Sequence, residues 1–258
     1  LVSEALEKAG AGDTISLEDG VYTEDKFITV RGGEEGDPLV IVGGRDAVIN
    51  SGKSNKVVMV KHSWVTLAGF SVDGKVGDEE VADSYVGKCV YVQGQENSTT
   101  MSYGGEDVKS SLVGFVMEDM FIHNCGAECV RLNNFVTNSM ILDNEIENCG
   151  IHDYHFEADG KNGEGIYIGT SSKQWKNGPD GCNNNHVSGN NITTNGNECV
   201  DIKEGATGNI IEYNSCSSQY DPEYNTATNC LGAGVRLGGW EVNGHPYGVE
   251  NNVSAARC

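Results

Sequence analysis

From residue 14 onward the chain alternates apolar and polar positions in pieces of four to six residues, broken by Asn and Gly. Alternation with a period of two predicts short strands with one buried face, not helices. Five pieces repeat one another: Cys89-Val90-Tyr91-Val92, Cys129-Val130-Arg131-Leu132, Gly165-Ile166-Tyr167-Ile168, Cys199-Val200-Asp201-Ile202 and Gly234-Val235-Arg236-Leu237. Their first apolar positions (90, 130, 166, 200 and 235) are separated by 40, 36, 34 and 35 residues. A second alternating element lies between the copies, as in Met140-Ile141-Leu142 followed by Glu145-Ile146-Glu147. One such repeat cannot bury a core, so equivalent strands must stack in parallel, about 4.8 Å apart, around a shared column of Val, Ile and Leu. The expectation is an all-β, single-domain parallel β-helix (a solenoid) over 1–258, with a short N-terminal capping helix within 1–12. Asn suits its corners, because it tolerates left-handed backbone and stacked amides bond along the axis.

Composition narrows the partners. Seventeen Lys and Arg against 38 Asp and Glu give a net charge of −21, which repels a phosphate backbone and excludes nucleic acid. An anionic polysaccharide meets the same repulsion unless a divalent cation or a local Lys/Arg pair inverts the field where it binds. No apolar run approaches the length of a membrane span, so no membrane insertion is expected. Nine cysteines, with glycosylation sequons at Asn97, Asn191 and Asn252, predict a secreted, extracellular protein. Cys125 and Cys149, in matching Asn-Cys-Gly corners one coil apart, are expected to pair. Cys216 and Cys230, which bracket a polar segment, are expected to staple it.

If Val90, Val130, Ile166, Val200 and Val235 face inward, the next residue of each copy faces outward. That column reads Tyr91, Arg131, Tyr167, Asp201 and Arg236, and two residues on comes a second column of Gln93, Asn133, Gly169, Lys203 and Gly238. Two residues before the inward position stand Lys88, Glu128, Glu164 and Glu198. Three carboxylates in adjacent turns must protonate, pair with Lys or Arg, or share a hard cation such as Ca²⁺. Insertions at 94–111, 151–163, 171–182 and 217–231 flank these strands and should wall a groove. Tyr91, Arg131, Tyr167, Asn133, Trp175 and Tyr220 supply the aromatic and polar groups that sugar rings need.

The stretch Gly10-x-Gly12-Asp13-Thr14-Ile15-x-Leu17-x-Asp19-Gly20-x-Tyr22, followed by Trp64-Val65-Thr66-Leu67-x-Gly69-Phe70, resembles the opening coils of the right-handed parallel β-helix polysaccharide lyases of the chondroitinase B and alginate lyase type. Glu198-Cys199-Val200-Asp201-Ile202-Lys203 is similar to that family's strand in which a calcium-ligand Glu precedes the catalytic Lys by five residues. Val235-Arg236-Leu237-Gly238 is similar to the next strand, which bears its catalytic Arg. The family's second Glu falls on Gly196 here. The resemblance implies a lyase that cleaves an acidic, uronic-acid polysaccharide by β-elimination, with Lys203 as base, Arg236 as charge stabiliser and calcium held by Glu198, Asp201 and Glu164. Two other readings stay open on the residues alone. One is a glycoside hydrolase using paired carboxylates, and the other is a non-catalytic extracellular glycan-binding or structural module.

Overall fold

The structure, a computed structural model, describes residues 1–25, 27–52, 54–95, 99–103, 106–156, 162–176, 178–195, 198–218, 235–237, 240–242, 245–247 and 252–254. For 99–103, 106–109, 154, 218 and the stretches from 235 onward it describes the backbone alone. Three parallel sheets run the length of the molecule, and the chain visits them in turn. A typical coil takes Val116–Glu118 in the first sheet, Phe121–Cys125 in the second and Val130–Asn133 in the third, then returns to the first with Met140–Leu142. This is a parallel β-helix. The five repeated tetrapeptides lie in the third sheet in one register: Val90, Val130, Ile166, Val200 and Val235 are successive partners.

The inward column of each sheet is fully buried, as with Leu67, Met117, Ile141 and Val187 in the first sheet and Val72, Ile122, Ile146 and Ile192 in the second. Each such side chain contributes about 1.5–3 kcal/mol on leaving water, and this burial is shared between coils instead of within one. The helix Val2–Leu6 closes one end by burying Val2 and Leu6, and the Val2 amide donates to Glu24 Oε1 at 2.6 Å.

The corners are built as the Asn content implies. Between the first and second sheets, Asn144 Nδ2 donates to Asn190 Oδ1, and Asn190 Nδ2 to Asn214 Oδ1, both at 2.8 Å. Preceding them, Asp143, Gly189 and Tyr213 have φ of 54°, 73° and 54°, so each coil turns through the left-handed region at the same place. Between the second and third sheets a further ladder runs from Asn195 Nδ2 to Asn148 Oδ1 (2.7 Å) and from Asn148 Nδ2 to Asn124 Oδ1 (2.8 Å).

The disulfides correct the expected pairings. Cys125 and Cys149 are stacked partners in the second sheet, but they do not bond to each other. Cys125 joins Cys89 and Cys149 joins Cys129, with Cα separations of 5.8 and 5.4 Å. Cys216 bonds to Cys199, at 6.0 Å, and not to Cys230, which lies outside the described residues. The cause is the bend between sheets. It carries the residue that opens a third-sheet strand next to the second-sheet strand of the following coil, within bonding reach. Each bridge therefore ties one coil to the next. At the equivalent position 165 the residue is Gly, where a Cβ would meet Ile192 and lie 2.8 Å from the Cys199 carbonyl.

Candidate functional site

The outer face of the third sheet carries Met59, Tyr91, Arg131, Tyr167, Asp201 and Arg236 as successive register partners. The expected open column is in fact covered: Tyr91, Tyr167 and Asp201 are buried, Asp201 completely. Long side chains stacked one coil apart shield each other. The Arg131 guanidinium carbon sits 4.5 Å from the Tyr167 ring centre and 6.0 Å from that of Tyr91. Lys203 Nζ lies 4.5 Å from the Tyr167 ring centre, and Lys56 Nζ lies 4.9 Å from that of Tyr91. Cations and rings alternate along the axis, each cation facing the electron-rich face of a ring. Burial pushes the Tyr167 and Tyr91 phenols above their ordinary values, so both stay neutral hydrogen-bonding groups.

The edge column meets its like-charge problem by ion pairing at one carboxylate and by a raised carboxyl at the next. Glu128, 1% exposed, is ion-paired with Lys88 and accepts from Arg131 Nη1 at 3.0 Å. Burial pushes its carboxyl up, but Lys88 and Arg131 outweigh this and hold it below the ordinary range. Glu164, 4% exposed, accepts from the Gly163 amide at 3.0 Å. Burial, with Glu128 and Asp201 adding to it, pushes its carboxyl up to about 7. Glu164, Glu198 and Asp201 each bring one oxygen to within 4.8 Å of the others. Three hard oxygen donors at this spacing, one of them reluctant to ionise beside the others, fit a divalent cation of the calcium type. Lys203 forms an ion pair with Asp201 across the same trio. The carboxylate of this ion pair is wholly buried.

A cleft of about 320 Å³ opens on the other edge of this face. Tyr91, Arg131, Asn133 and Trp175, all expected at a sugar site, line it. Tyr167 does not, because Arg131 and Lys203 cover its ring. The wall made by 170–176 and 178–180 is held by Asp180, which the sequence did not single out. Its carboxylate accepts from the amides of Asn134 (2.9 Å) and Phe135 (2.7 Å) and from Thr170 Oγ1 (2.6 Å). Asn134 and Phe135 both have positive φ, 61° and 56°, and their two amides converge on one anion. In sequence, Pro179-Asp180-Gly181 carries only a turn signal. Trp175 Nε1 donates to the Thr170 carbonyl at 2.8 Å, which fixes the indole in the wall, and Asn133 Nδ2 donates to the Tyr91 hydroxyl at 2.9 Å.

Of the other expected residues, Asn191 is exposed on the second sheet, away from this face. Arg236 and Asn252 are placed by their backbone in the third and first sheets. Tyr220 and Asn97 lie outside the described residues. The 94–111 insertion contains the antiparallel hairpin Thr99–Tyr103 with Glu106–Ser110, and the 151–163 insertion opens with the helix Ile151–Tyr154.

No family model matches the sequence, and no curated protein matches it. Among solved structures, the chain is similar to an alginate lyase from Paenibacillus sp. str. FPU-7, with a TM-score of 0.63 and 22% identity over 82% of this chain and 62% of that one. It is also similar to pectate lyase Pel9A, with a TM-score of 0.62 and 15% identity over 97% of this chain and 55% of that one. The chain thus spans somewhat over half the length of each. At these identities the likeness establishes the fold: the molecule is a parallel β-helix of the kind these two polysaccharide lyases adopt.

Proposed function

We propose that the protein is a secreted polysaccharide lyase that cleaves an acidic, uronic-acid polysaccharide by β-elimination along the outer face of the third sheet. The observation that carries this reading is the meeting of the Glu164, Glu198 and Asp201 carboxylates with the Lys203 ammonium on a face that also holds a cleft lined by Arg131, Asn133 and Trp175. In a chain of net charge −21, such a substrate needs local positive charge to approach. Calcium held by the carboxylate trio would neutralise the substrate carboxylate and so acidify the hydrogen on C5. Lys203, as the free amine, accepts that proton on Nζ. The electron pair left at C5 forms the C4–C5 double bond, and the C4–oxygen bond to the preceding sugar breaks, its electrons leaving with that oxygen, which takes a proton from water to become the hydroxyl of the released sugar. Arg236, the register partner of Asp201 one coil on, is assigned the negative charge that develops on the substrate carboxylate. The three disulfides and the exposed sequon at Asn191 support secretion.

A second reading is favoured by one observation. Lys203 is ion-paired with Asp201, and a cation in that position can bind an anion without removing a proton, as a non-catalytic glycan-binding module would. The test is the unsaturated-product absorbance on pectate, alginate and glucuronan, with calcium and with chelator. Product that appears with calcium and vanishes with chelator supports the lyase. New reducing ends without unsaturation mark a hydrolase, and binding without either product marks the module.

A further inference from the structure

The edge column of the third sheet is polarised along the axis. It reads Lys56, Lys88, Glu128, Glu164, Glu198, so the carboxylates gather at one end and the cations at the other. At the cationic end Lys88 and Arg131 share one ion-pair partner, Glu128, with Lys56 beside them in the column. Lys56 lies over the Tyr91 ring, and among the described residues its Nζ has only a long contact, 3.4 Å, to Asn55 Oδ1. Burial, then Lys88, Arg131 and Lys61, push the Lys56 ammonium below its ordinary value, the response of a cation in a local excess of positive charge. Arg131 Nε is buried and makes no hydrogen bond among the described residues, which leaves a costly donor waiting for an acceptor. Asp180 also lies nearby, with its oxygens held by the amides of Asn134 and Phe135 and by Thr170. Tyr91 and Arg131 both line the cleft.

We infer that Lys56 and Arg131, which both lie over the Tyr91 ring, form with Lys88, the edge-column neighbour of Lys56, a second anion-binding subsite, which takes an oxyanion, carboxylate or sulfate ester, on a sugar unit remote from the one at Lys203. Arg131 is two coils from Lys203, about 10 Å along the axis. The bound polymer therefore carries negative charge on units at both places. One end of the face meets that charge directly with cations, and the other end meets it with carboxylates that require a bridging metal ion. This deepens the lyase reading and rests on it for the identity of the ligand as an acidic glycan.

The test is calorimetric binding, in chelator to prevent turnover, of three hexasaccharides: a polygalacturonate fragment bearing carboxylates, a sulfated neutral fragment, and neutral maltohexaose. Wild-type protein is compared with Lys56→Gln and Lys56→Arg, each checked for an unchanged unfolding temperature. Lys56→Gln should weaken binding of the anionic probes by about tenfold, the effect of losing one charge-assisted contact. Lys56→Arg should bind as wild type does, and added salt should weaken wild type more than Lys56→Gln. Tighter binding of the carboxylate or of the sulfated probe identifies the source of the oxyanion. Equal affinity of Lys56→Gln and wild type, or wild-type protein that does not prefer the anionic probes to maltohexaose, overturns the subsite. Absence of unsaturated product with calcium overturns the lyase reading and leaves this result standing, so the two failures are separable.

Discussion

Arg131 holds two partners at once: its guanidinium carbon sits 4.5 Å from the Tyr167 ring centre, and its Nη1 donates to Glu128 at 3.0 Å. The pairing is possible because Tyr167 is the register partner of Arg131 on the next coil and Glu128 lies three residues before Arg131 on the same coil. It makes a catalytic-looking face part of the molecule's stability. Arg131→Gln should therefore destabilise the fold by about 2–4 kcal/mol, since Glu128, 1% exposed, keeps only Lys88 as a compensating cation. Urea denaturation midpoints measure this, and an unchanged midpoint would show that Lys88 alone suffices.

The same reasoning applies to Lys203. Lys203→Ala removes the cation paired with the fully buried Asp201, so a lower unfolding temperature should accompany the loss of elimination activity. Lys203→Arg separates the two effects. It should restore the unfolding temperature but not turnover, because a guanidinium stays protonated and cannot take the C5 proton. Thermal denaturation and product absorbance on the same preparations check both halves.

Glu164 should impose a pH dependence on the metal-free protein. Its carboxyl is pushed up to about 7 in the folded state, from 4.5. Between those values the folded chain binds more protons than the unfolded chain, so stability falls as pH rises through that window and is level above it. Glu164→Gln should remove this contribution, leaving the variant more stable than wild type at pH 8 in chelator by at most about 3 kcal/mol. Calcium should reverse the order, because the variant loses a ligand oxygen. Denaturation curves at a series of pH values with chelator, and at pH 8 with calcium, supply the comparison.

Asn190 is the middle of a corner ladder. Its Oδ1 accepts from the Asn144 amide and side chain, and its Nδ2 donates to Asn214 Oδ1 and to the Ile141 carbonyl. Asn190→Ala leaves those buried groups without partners and should cost about 2–4 kcal/mol. The exposed Asn191→Ala, one residue away on the second sheet, should cost well under 1 kcal/mol. The contrast between adjacent positions is the measurement.

Peptide mapping without reduction should recover Cys89 with Cys125, Cys129 with Cys149 and Cys199 with Cys216. Cys182, which is buried and free, should alkylate only after unfolding. Removing the Cys199–Cys216 bridge should cost about 3 kcal/mol, read as a drop in the unfolding temperature.

The periodic pattern alone determined the architecture, for a physical reason. Alternating strands too short to bury a core can be stabilised only by stacking, and the 34–40 residue spacing leaves one place for each strand in the stack. For the same reason the columns Tyr91–Arg131–Tyr167–Asp201 and Glu128–Glu164–Glu198 could be read before any coordinates. What the chain order could not convey was distance across corners and burial under neighbours. Cys125 and Cys149 share a register, but the bend between sheets sets the opening of a third-sheet strand within bonding reach of each, and the sulfurs bond there and not to the stacked twin. Asp201 alternates outward from the core but is completely buried, because Tyr167 from the preceding coil and Lys203 from its own coil close over it. Asp180 looks like a turn residue in sequence, but in space it anchors two left-handed amides from 46 and 45 positions earlier. Alternation decides which side of a sheet a residue faces. What covers it there depends on side-chain reach and loop path, and these are properties of the folded molecule.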